Sequence, residues 1–525
     1  HLMAISGLHV GLVAGLAGLL ALRLWRLSAR LCLWLAAPRA AALAGLAAGF
    51  VYALLAGFAI PTQRALVMLT VVAAALAWGR IGTPSRTLAL ALLAVLLLDP
   101  LSVLSPGFWL SFAAVAVILY ALTGRRAGHP LAWLRIQVVI AIGLLPLTVW
   151  FFQFGAVVSP LANLIAVPWV GFVVVPSTLL GAALAPWMPA VAGLPLWLAD
   201  AALDLLWPVL EWLAALPGGQ WLPPAPPFVW LLLALAGGAL LLAPRGWPAR
   251  WLGAVLLLPM LTWQPPAPAE GDFRFTLLEV GQGLAAVIET RRHLLVYDTG
   301  PRFSDRFDAG EAAIHPYLVH RGRRRVDRLI LSHGDDDHAG GAASLLARVP
   351  VGEVLGDTGD RDDLPSPRPC KAGEAWRWDG VDFELLHPPR GWRGDNEASC
   401  VLRVAAAGGS LLLTGDIERL AEAAMLRERR EALAAEVMLI PHHGALTSST
   451  PAFIDAVRPR LAVVSSGYGN RFGHPRPEIL ALYRERDIPV LDTAREGAIT
   501  LRFEVDGLAI EPGYRHAVRR YWHRP

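Results

Sequence analysis

Residues 327–341 read DRLILSHGDDDHAGG. The first six are rich in apolar and β-branched side chains, which predicts a strand over 327–332. It runs straight into His333, Gly334, Asp335, Asp336, Asp337 and His338, and two glycines then lead into a helix predicted over 340–348. His333, Asp335, Asp337 and His338 place four potential ligands within six residues of one loop. A loop can fold such residues around adjacent cations, whereas a strand would send alternate side chains to opposite faces. Imidazole with carboxylate suits Zn, Mn or Fe, and the wealth of carboxylate moves the balance towards Mn or Mg.

The same arrangement recurs. An apolar strand over 293–297 ends at Asp298, one over 410–414 at Gly415-Asp416, and one over 436–440 at Pro441-His442-His443. Each acid or histidine should emerge at one edge of the sheet core, so all of them are expected to converge. Only one of His442 and His443 is expected to ligate, the other supporting it. The remaining strands are predicted over 273–280, 284–289, 381–386, 400–405, 461–466, 489–492 and 498–505. Helices are predicted over 309–320, 417–434, 451–457 and 477–486. About 260 residues suit one α/β domain of two sheets flanked by helices. We place it at 271–515, after a Pro-rich linker at 264–270 (QPPAPAE) and before a basic tail at 516–525.

Upstream the composition changes. The whole chain has 525 residues, 55% hydrophobic and 17% charged, with a mean hydropathy of +0.48. Soluble proteins average about a quarter charged residues. Residues 1–263 hold 12 arginines and four acids (Asp99, Asp200, Asp204, Glu211), a net of +8. The chain's other 34 basic and 38 acidic residues lie after Trp263, a net of −4. Composition excludes a disordered chain, a collagen and a disulfide scaffold. Three cysteines make no framework; Cys370 and Cys400 could pair if the second half lies outside the cytoplasm, which the sequence leaves open.

Ten apolar segments fill the first half: 4–22, 40–60, 65–78, 88–98, 107–123, 136–152, 161–185, 197–216, 228–243 and 251–263. A bilayer core needs about 20 apolar residues per helix, so the shorter ones are expected to be broken or re-entrant. Arginines cluster after the first, third, fifth and ninth segments, and the intervening loops carry only Arg64. That alternation puts the basic loops in the cytoplasm and the chain after Trp263 outside, although the loop at 186–196 has no positive charge. Ser6, His9, Gln63, Arg64, Ser111 and Asn163 are the polar groups within these segments that qualify as channel candidates. Gly7, Gly11, Gly15 and Gly18 suggest close helix packing. The chain opens on His1, without a recognisable signal peptide, as expected of a chain whose upstream part is missing.

The second half resembles the metallo-β-lactamase fold superfamily, an αββα sandwich, with Asp298 as its first motif, His333-x-Asp335-x-Asp337-His338 as its second, Asp416 as the bridging carboxylate and His443 (or His442) as the last ligand. Two departures stand out. Asp335 replaces the usual second histidine, and Asn396 and Ser399 (DNEASC) stand where the third-motif histidine would be. Both match a variant found in the ComEC family of competence DNA-uptake proteins. Four stretches of the first half, AISGLHVGL, PTQRA, WLSFA and SPLANLIAVP, resemble that family's membrane domain.

The resemblance implies a multi-pass protein of the cell (inner) membrane that carries single-stranded DNA during natural transformation. Its metal domain would be an extracytoplasmic, metal-dependent phosphodiesterase. Two divalent ions, Mn or Zn, would be held by His333, Asp335, Asp337, His338, Asp416 and His443, with Asp298 and His442 supporting them. Asp337 would act in catalysis, Asn396 or Ser399 would donate to a phosphate oxygen, and His474 would serve as general acid or phosphate contact. Arg471, Arg476 and the cluster at 321–325 (RGRRR) with Arg328 are candidate phosphate contacts. Expected partners are DNA, the lipid bilayer, a DNA receptor, a cytoplasmic motor and a second copy of the chain. No Walker-type phosphate loop is present, so a nucleotide-driven motor must be another protein. Two other readings of the sequence are a channel whose metal domain only binds or gates, and a transporter of an envelope precursor.

Overall fold

The computed structural model describes residues 7–78, 83–123, 132–244, 246–358, 363–392, 394–518 and 520. The chain divides into two compact units, His1–Trp263 and Gln264–Pro525.

Ten apolar helices form the first unit among the described residues: α1 (Gly7–Trp25), α2 (Ala37–Leu55), α3 (Ile60–Ala77), α4 (Pro84–Leu98), α5 (Pro106–Leu122), α6 (Ala132–Phe152), α7 (Ser159–Leu184), α8 (Pro189–Ala214), α9 (Phe228–Leu242) and α10 (Leu252–Thr262). Each answers one predicted segment; a short helix at Ala29–Trp34 was not foreseen. Among the described residues, five helices are long and apolar enough to cross a membrane: α2, α3, the span Leu134–Phe152 within α6, α7 and α8. Proline at the first or second position starts many of them, since its missing N–H has no partner there anyway. Inside α7, Pro168 removes a donor and a π-turn follows at Val170–Val174, so this span is a broken helix.

Small residues bring backbones together. A Cβ on Gly18 would lie 3.0 Å from the Ala41 carbonyl oxygen, and one on Gly45 would lie 2.8 Å from that of Ala14. A Cβ on Gly7 would meet the Ala65 side chain at 3.0 Å, so the GLH and PTQRA stretches touch. Gly11 and Gly15 meet nothing within 4 Å, a correction to the packing expected of all four glycines: the partner glycines are on α2.

The second unit is an αββα sandwich. One sheet runs β14-β13-β1-β2-β3-β4-β5, with β1 Phe273–Leu277, β2 Ala286–Glu289, β3 Leu294–Tyr297, β4 Val326–Leu331, β5 Val351–Gly356, β13 Ile499–Glu504 and β14 Gly507–Ile510. The other runs β6-β7-β8-β9-β10-β11-β12, with β6 Ala375–Trp378, β7 Val381–His387, β8 Val401–Ala406, β9 Gly409–Leu413, β10 Val437–Leu439, β11 Leu461–Val464 and β12 Val490–Asp492. All eleven predicted strands are present; β5, β6 and β14 were not predicted. In β5 (VGEVLG) a glycine and a glutamate interrupt the apolar run, and parallel pairing with β4 makes it a strand nonetheless.

Alternation sorts the side chains. Phe275, Leu277, Phe383, Leu385, Leu411 and Leu439 fill the space between the sheets. Leu412, Met438 and Ala462 pack outward on helices α13 (Arg419–Glu428), α14 (Pro451–Val457) and α15 (Pro477–Arg484). Val296, Leu329 and Leu331 pack outward on α11 (His315–His320) and α12 (Ala342–Arg348). A π-turn at Gly310–Ile314 precedes α11 where one continuous helix was predicted. Strands β3 and β4 are parallel, as are β9, β10 and β11. Their C-terminal ends therefore share an edge in each sheet.

Candidate metal centre

Asp298 follows β3, His333 follows β4, Asp416 follows β9 and His443 follows β10, so the parallel pairing brings all four to one rim. A short helix, Asp336–Ala339, turns His338 inward. Asp337, His338, Asp416 and His443 each offer one ligand atom, and the four atoms lie within 4.8 Å of one another. His338 Nε2 is 3.2 Å from Asp416 Oδ1 and 3.3 Å from His443 Nε2. His443 Nε2 is 3.4 Å from Asp337 Oδ2 and 3.5 Å from Asp416 Oδ2.

Hydrogen bonds behind the pocket set the tautomers. His443 Nδ1 is 2.9 Å from the Ser465 carbonyl, which only accepts, so Nδ1 carries the proton and Nε2 presents its lone pair. His338 Nδ1 lies 2.8 Å from Asp298 Oδ2, and the same logic follows. Asp298 is fully buried and also accepts from Ser332 N (2.6 Å) and Ser332 Oγ (2.7 Å). Two imidazoles and two carboxylates thus face one point, an arrangement that needs positive charge between them, from protons on the imidazoles or from a metal ion. The donor set fits a divalent ion. Electrostatics agree. Burial pushes the Asp416 carboxyl up, but His338 and His443 outweigh it and hold it well below its usual range. Burial pulls the His338 imidazole down, yet Asp416 and Asp298 raise it well above its usual value. The pocket stabilises positive charge.

Backbone strain helps. Asp298, His442 and His443 have φ of 59°, 48° and 51°, a region L-residues enter only when the surroundings impose it. The consecutive pair sends the two imidazoles apart. His443 enters the cluster. His442 Nε2 stays 3.8 Å from Asp416 Oδ2, with Nδ1 held 3.0 Å from Glu418 Oε1.

His333 and Asp335 lie beside the four donors. Their rings and carboxylates are close, with His333 Nε2 3.5 Å from Asp335 Oδ2 and the His333 and His338 rings 4.2 Å apart. His333 Nε2 is buried without a hydrogen-bond partner among the described residues. Ser399 is fully buried; its hydroxyl is 3.4 Å from His333 Nδ1 and accepts from Asp416 N at 3.2 Å. It stands behind the cluster, between the His333 ring and the Asp416 amide. Asn396 keeps a buried side-chain oxygen without a partner. His474 stands with its ring 6.0 Å from that of His442. Burial, then the charges of His443 and His442, pull its pKa to about 4.

Part of the basic cluster is engaged inside the domain. Arg321 and Arg323 both pair with the buried Glu289 (2.9 and 3.3 Å). Arg328 pairs with Glu353 at 2.7 Å and lies 4.0 Å from the Trp376 ring. These three arginines are held within the domain, while Arg324 and Arg325 are exposed. Arg471 rests on Phe472, and Arg476 is exposed. Sequence reasoning missed Ser332, Ser465, Glu418 and Glu397. Glu397 accepts from three amides at the start of α13 (2.7–3.3 Å). Its place inside DNEASC was the available signal.

In the first unit, Ser6 lies outside the described residues. Gln63 donates to the Phe58 carbonyl at 2.7 Å, a local turn contact. Ser111 is half-buried. Asn163 donates to Ser159 Oγ at 3.2 Å. Both line a cavity of about 520 Å3 together with Gln220. His9 and Arg64 are buried.

A bundle of apolar helices and an αββα domain with a rim of metal donors together define a membrane protein with a metallo-β-lactamase-type module. Residues 1–248 match the Competence protein family and residues 278–468 the Metallo-beta-lactamase superfamily. The chain is 38% identical over 529 residues to Competence protein ComA of Neisseria gonorrhoeae, covering 100% of this chain and 73% of that one. It is 32% identical to Uncharacterized protein YcaI of Escherichia coli (100% and 69% covered) and 27% identical to ComE operon protein 3 of Bacillus subtilis (98% and 69%). The chain belongs to the ComEC-type competence proteins.

Proposed function

We propose that this protein takes up DNA in natural transformation, passing a single strand through its helical unit across the inner membrane. Its metal domain lies outside the cytoplasm and hydrolyses DNA phosphodiesters. The observation that carries the reading is the four-donor pocket of Asp337, His338, Asp416 and His443 in a chain whose first unit belongs to the competence proteins. Two features support the outer location: the alternation of arginine-rich loops and the Cys370–Cys400 disulfide, a bond that persists in oxidising compartments.

Asp337, His338, Asp416 and His443 would hold a divalent ion, Mn or Zn, which would supply Lewis acidity and a water of lowered pKa. Asp298 and the Ser465 carbonyl hold both imidazoles in the ligating tautomer. His333 and Asp335, beside the four donors, would hold a second ion. His474, neutral and at the rim, accepts a proton or a hydrogen bond from the phosphate's surroundings, and Asn396 donates to a phosphate oxygen. A DNA receptor, a cytoplasmic motor and a second copy of the chain are the partners proposed.

The test uses the full chain. Asp337→Ala and His338→Ala are expected to abolish metal-dependent cleavage of labelled DNA and to lower bound Mn or Zn. A wild-type chain that retains no metal overturns the hydrolase reading. Cells with Asp337→Ala that take up single-stranded donor normally but fail with duplex favour the enzyme over a gate.

A further inference from the structure

Arg64 is 6% exposed, inside the helical unit, and its Nε and Nη1 are buried with no hydrogen-bond partner among the described residues. A buried guanidinium with two nitrogens unbonded is costly in any protein interior, and more so in one that faces lipid. Asp99 is the acid whose charge acts on Arg64, but no hydrogen bond joins it to Nε or Nη1, and its carboxylate accepts from Leu101 N at 3.1 Å at the start of the turn Pro100–Leu104. Arg64 lies at the start of α3, one turn before Val67 and Met68, which pack with Phe108 and Phe112 of α5. Its guanidinium reaches the N-terminus of α5. A Cβ on Gly107 would lie 2.9 Å from Arg64 Nη2 and 3.6 Å from Ser105 Oγ. Glycine at 107 is therefore what lets the cation approach. Ser105 is the N-cap residue, yet its side chain makes no capping hydrogen bond. Pro106 has no N–H and the Phe108 amide donates to the Ser105 carbonyl at 3.0 Å, so the Gly107 amide and the non-capping Ser105 hydroxyl are what the first turn of this 17-residue helix offers beside the guanidinium.

A helix N-terminus attracts anions, and an arginine fork matches the oxygens of a phosphate. We propose that Arg64, Ser105 and the first turn of α5 bind a phosphodiester group of the transported strand, a contact that rests on the DNA-uptake reading. The position is interior to the helices, which favours a ligand that enters the bundle over a headgroup of the surrounding lipid. Gln63, next in sequence, is engaged with Phe58 and takes no part.

The test measures binding of a labelled oligothymidylate to the full chain in nanodiscs across a salt series. A second probe of the same length carries neutral methylphosphonate linkages. One lost contact to a single strand should make the slope of log K against log salt shallower by about 0.7, and affinity should fall about tenfold at low salt, as for a charged hydrogen bond. Arg64→Gln is expected to do both, and to bind the two probes more equally than wild type does. Arg64→Lys should keep the slope. Gly107→Ala keeps the charge but pushes the guanidinium aside, so it should weaken binding in the same direction; retained metal content reports an intact chain. Unchanged slope and affinity in Arg64→Gln, with wild type binding normally, overturn this site alone. Loss of co-purified anionic lipid without loss of oligonucleotide binding assigns the site to a headgroup and overturns it too. A wild-type chain that binds no single strand at any salt overturns both this proposal and the transport reading.

Discussion

Replacing Asp298 with asparagine changes one atom of the pocket's support and leaves its shape. Oδ1 of Asp298 accepts from the Ser332 amide at 2.6 Å, so the asparagine oxygen must stay there. The new NH2 then takes the place of Oδ2, 2.7 Å from Ser332 Oγ and 2.8 Å from His338 Nδ1. Two donors cannot face each other across 2.8 Å. His338 must move its proton to Nε2, the atom 3.2 Å from Asp416 and 3.3 Å from His443. A metal donor becomes an N–H. Support of this kind is worth 10–100-fold, that is about 1.4–2.7 kcal/mol, in metal affinity. Lost charge-assisted bonds add about 1–3 kcal/mol of stability loss. In a domain of this size that lowers Tm by a few degrees, at about 2–4 °C per kcal/mol. Competition of Zn or Mn against a chelator, on the full chain, reads the affinity, and circular dichroism reports the fold. A folded Asp298→Asn variant that binds metal within twofold of wild type would refute the tautomer argument.

Asp379 carries a separate pH prediction. Its buried carboxylate accepts from Arg292 N (2.7 Å), Thr290 Oγ1 (2.7 Å), Arg292 Nε (3.1 Å) and His293 Nδ1 (3.0 Å). Burial pushes the carboxyl up, but these donors outweigh it and hold it well below the usual range. A group depressed in the folded state stabilises above its unfolded pKa of about 3.9 and loses that stability as pH falls towards the folded value. Asp379→Asn should thus flatten the acid limb of a stability profile below about pH 4, while lowering stability at pH 7; an unchanged acid limb contradicts this. The disulfide closes a separation of 30 residues, worth about 3–4 kcal/mol by loop entropy. Melting with and without reductant should differ by several degrees, and Cys400→Ser should not respond to reductant at all.

Much of the metal centre was legible because its physics is local. Apolar runs ending in an acid or histidine mark strand ends, and parallel β-pairing collects such ends on one rim. Asp298, Asp337, His338 and Asp416 could be named that way. The roles of neighbours could not. His442 and His443 are alike in sequence, and only two successive left-handed residues, held by Glu418 and Ser465, decide which imidazole enters. RGRRR reads as a surface charge run until Glu289, a residue of β2, is seen buried between two of its arginines.

The division between what a chain of letters can state and what coordinates add follows from range. Hydropathy, charge bias and motif spacing act over a few residues and one bilayer thickness. They sufficed for the ten apolar segments, the two-part chain and the ligand types. Pairing of Cys370 with Cys400, the glycines that bring α1 and α2 together, the place of Ser399 behind the donors, and the guanidinium of Arg64 against Gly107 all depend on contacts between distant stretches. Those contacts are chosen by packing and by the need to satisfy buried polar groups, and neither is written in any single segment.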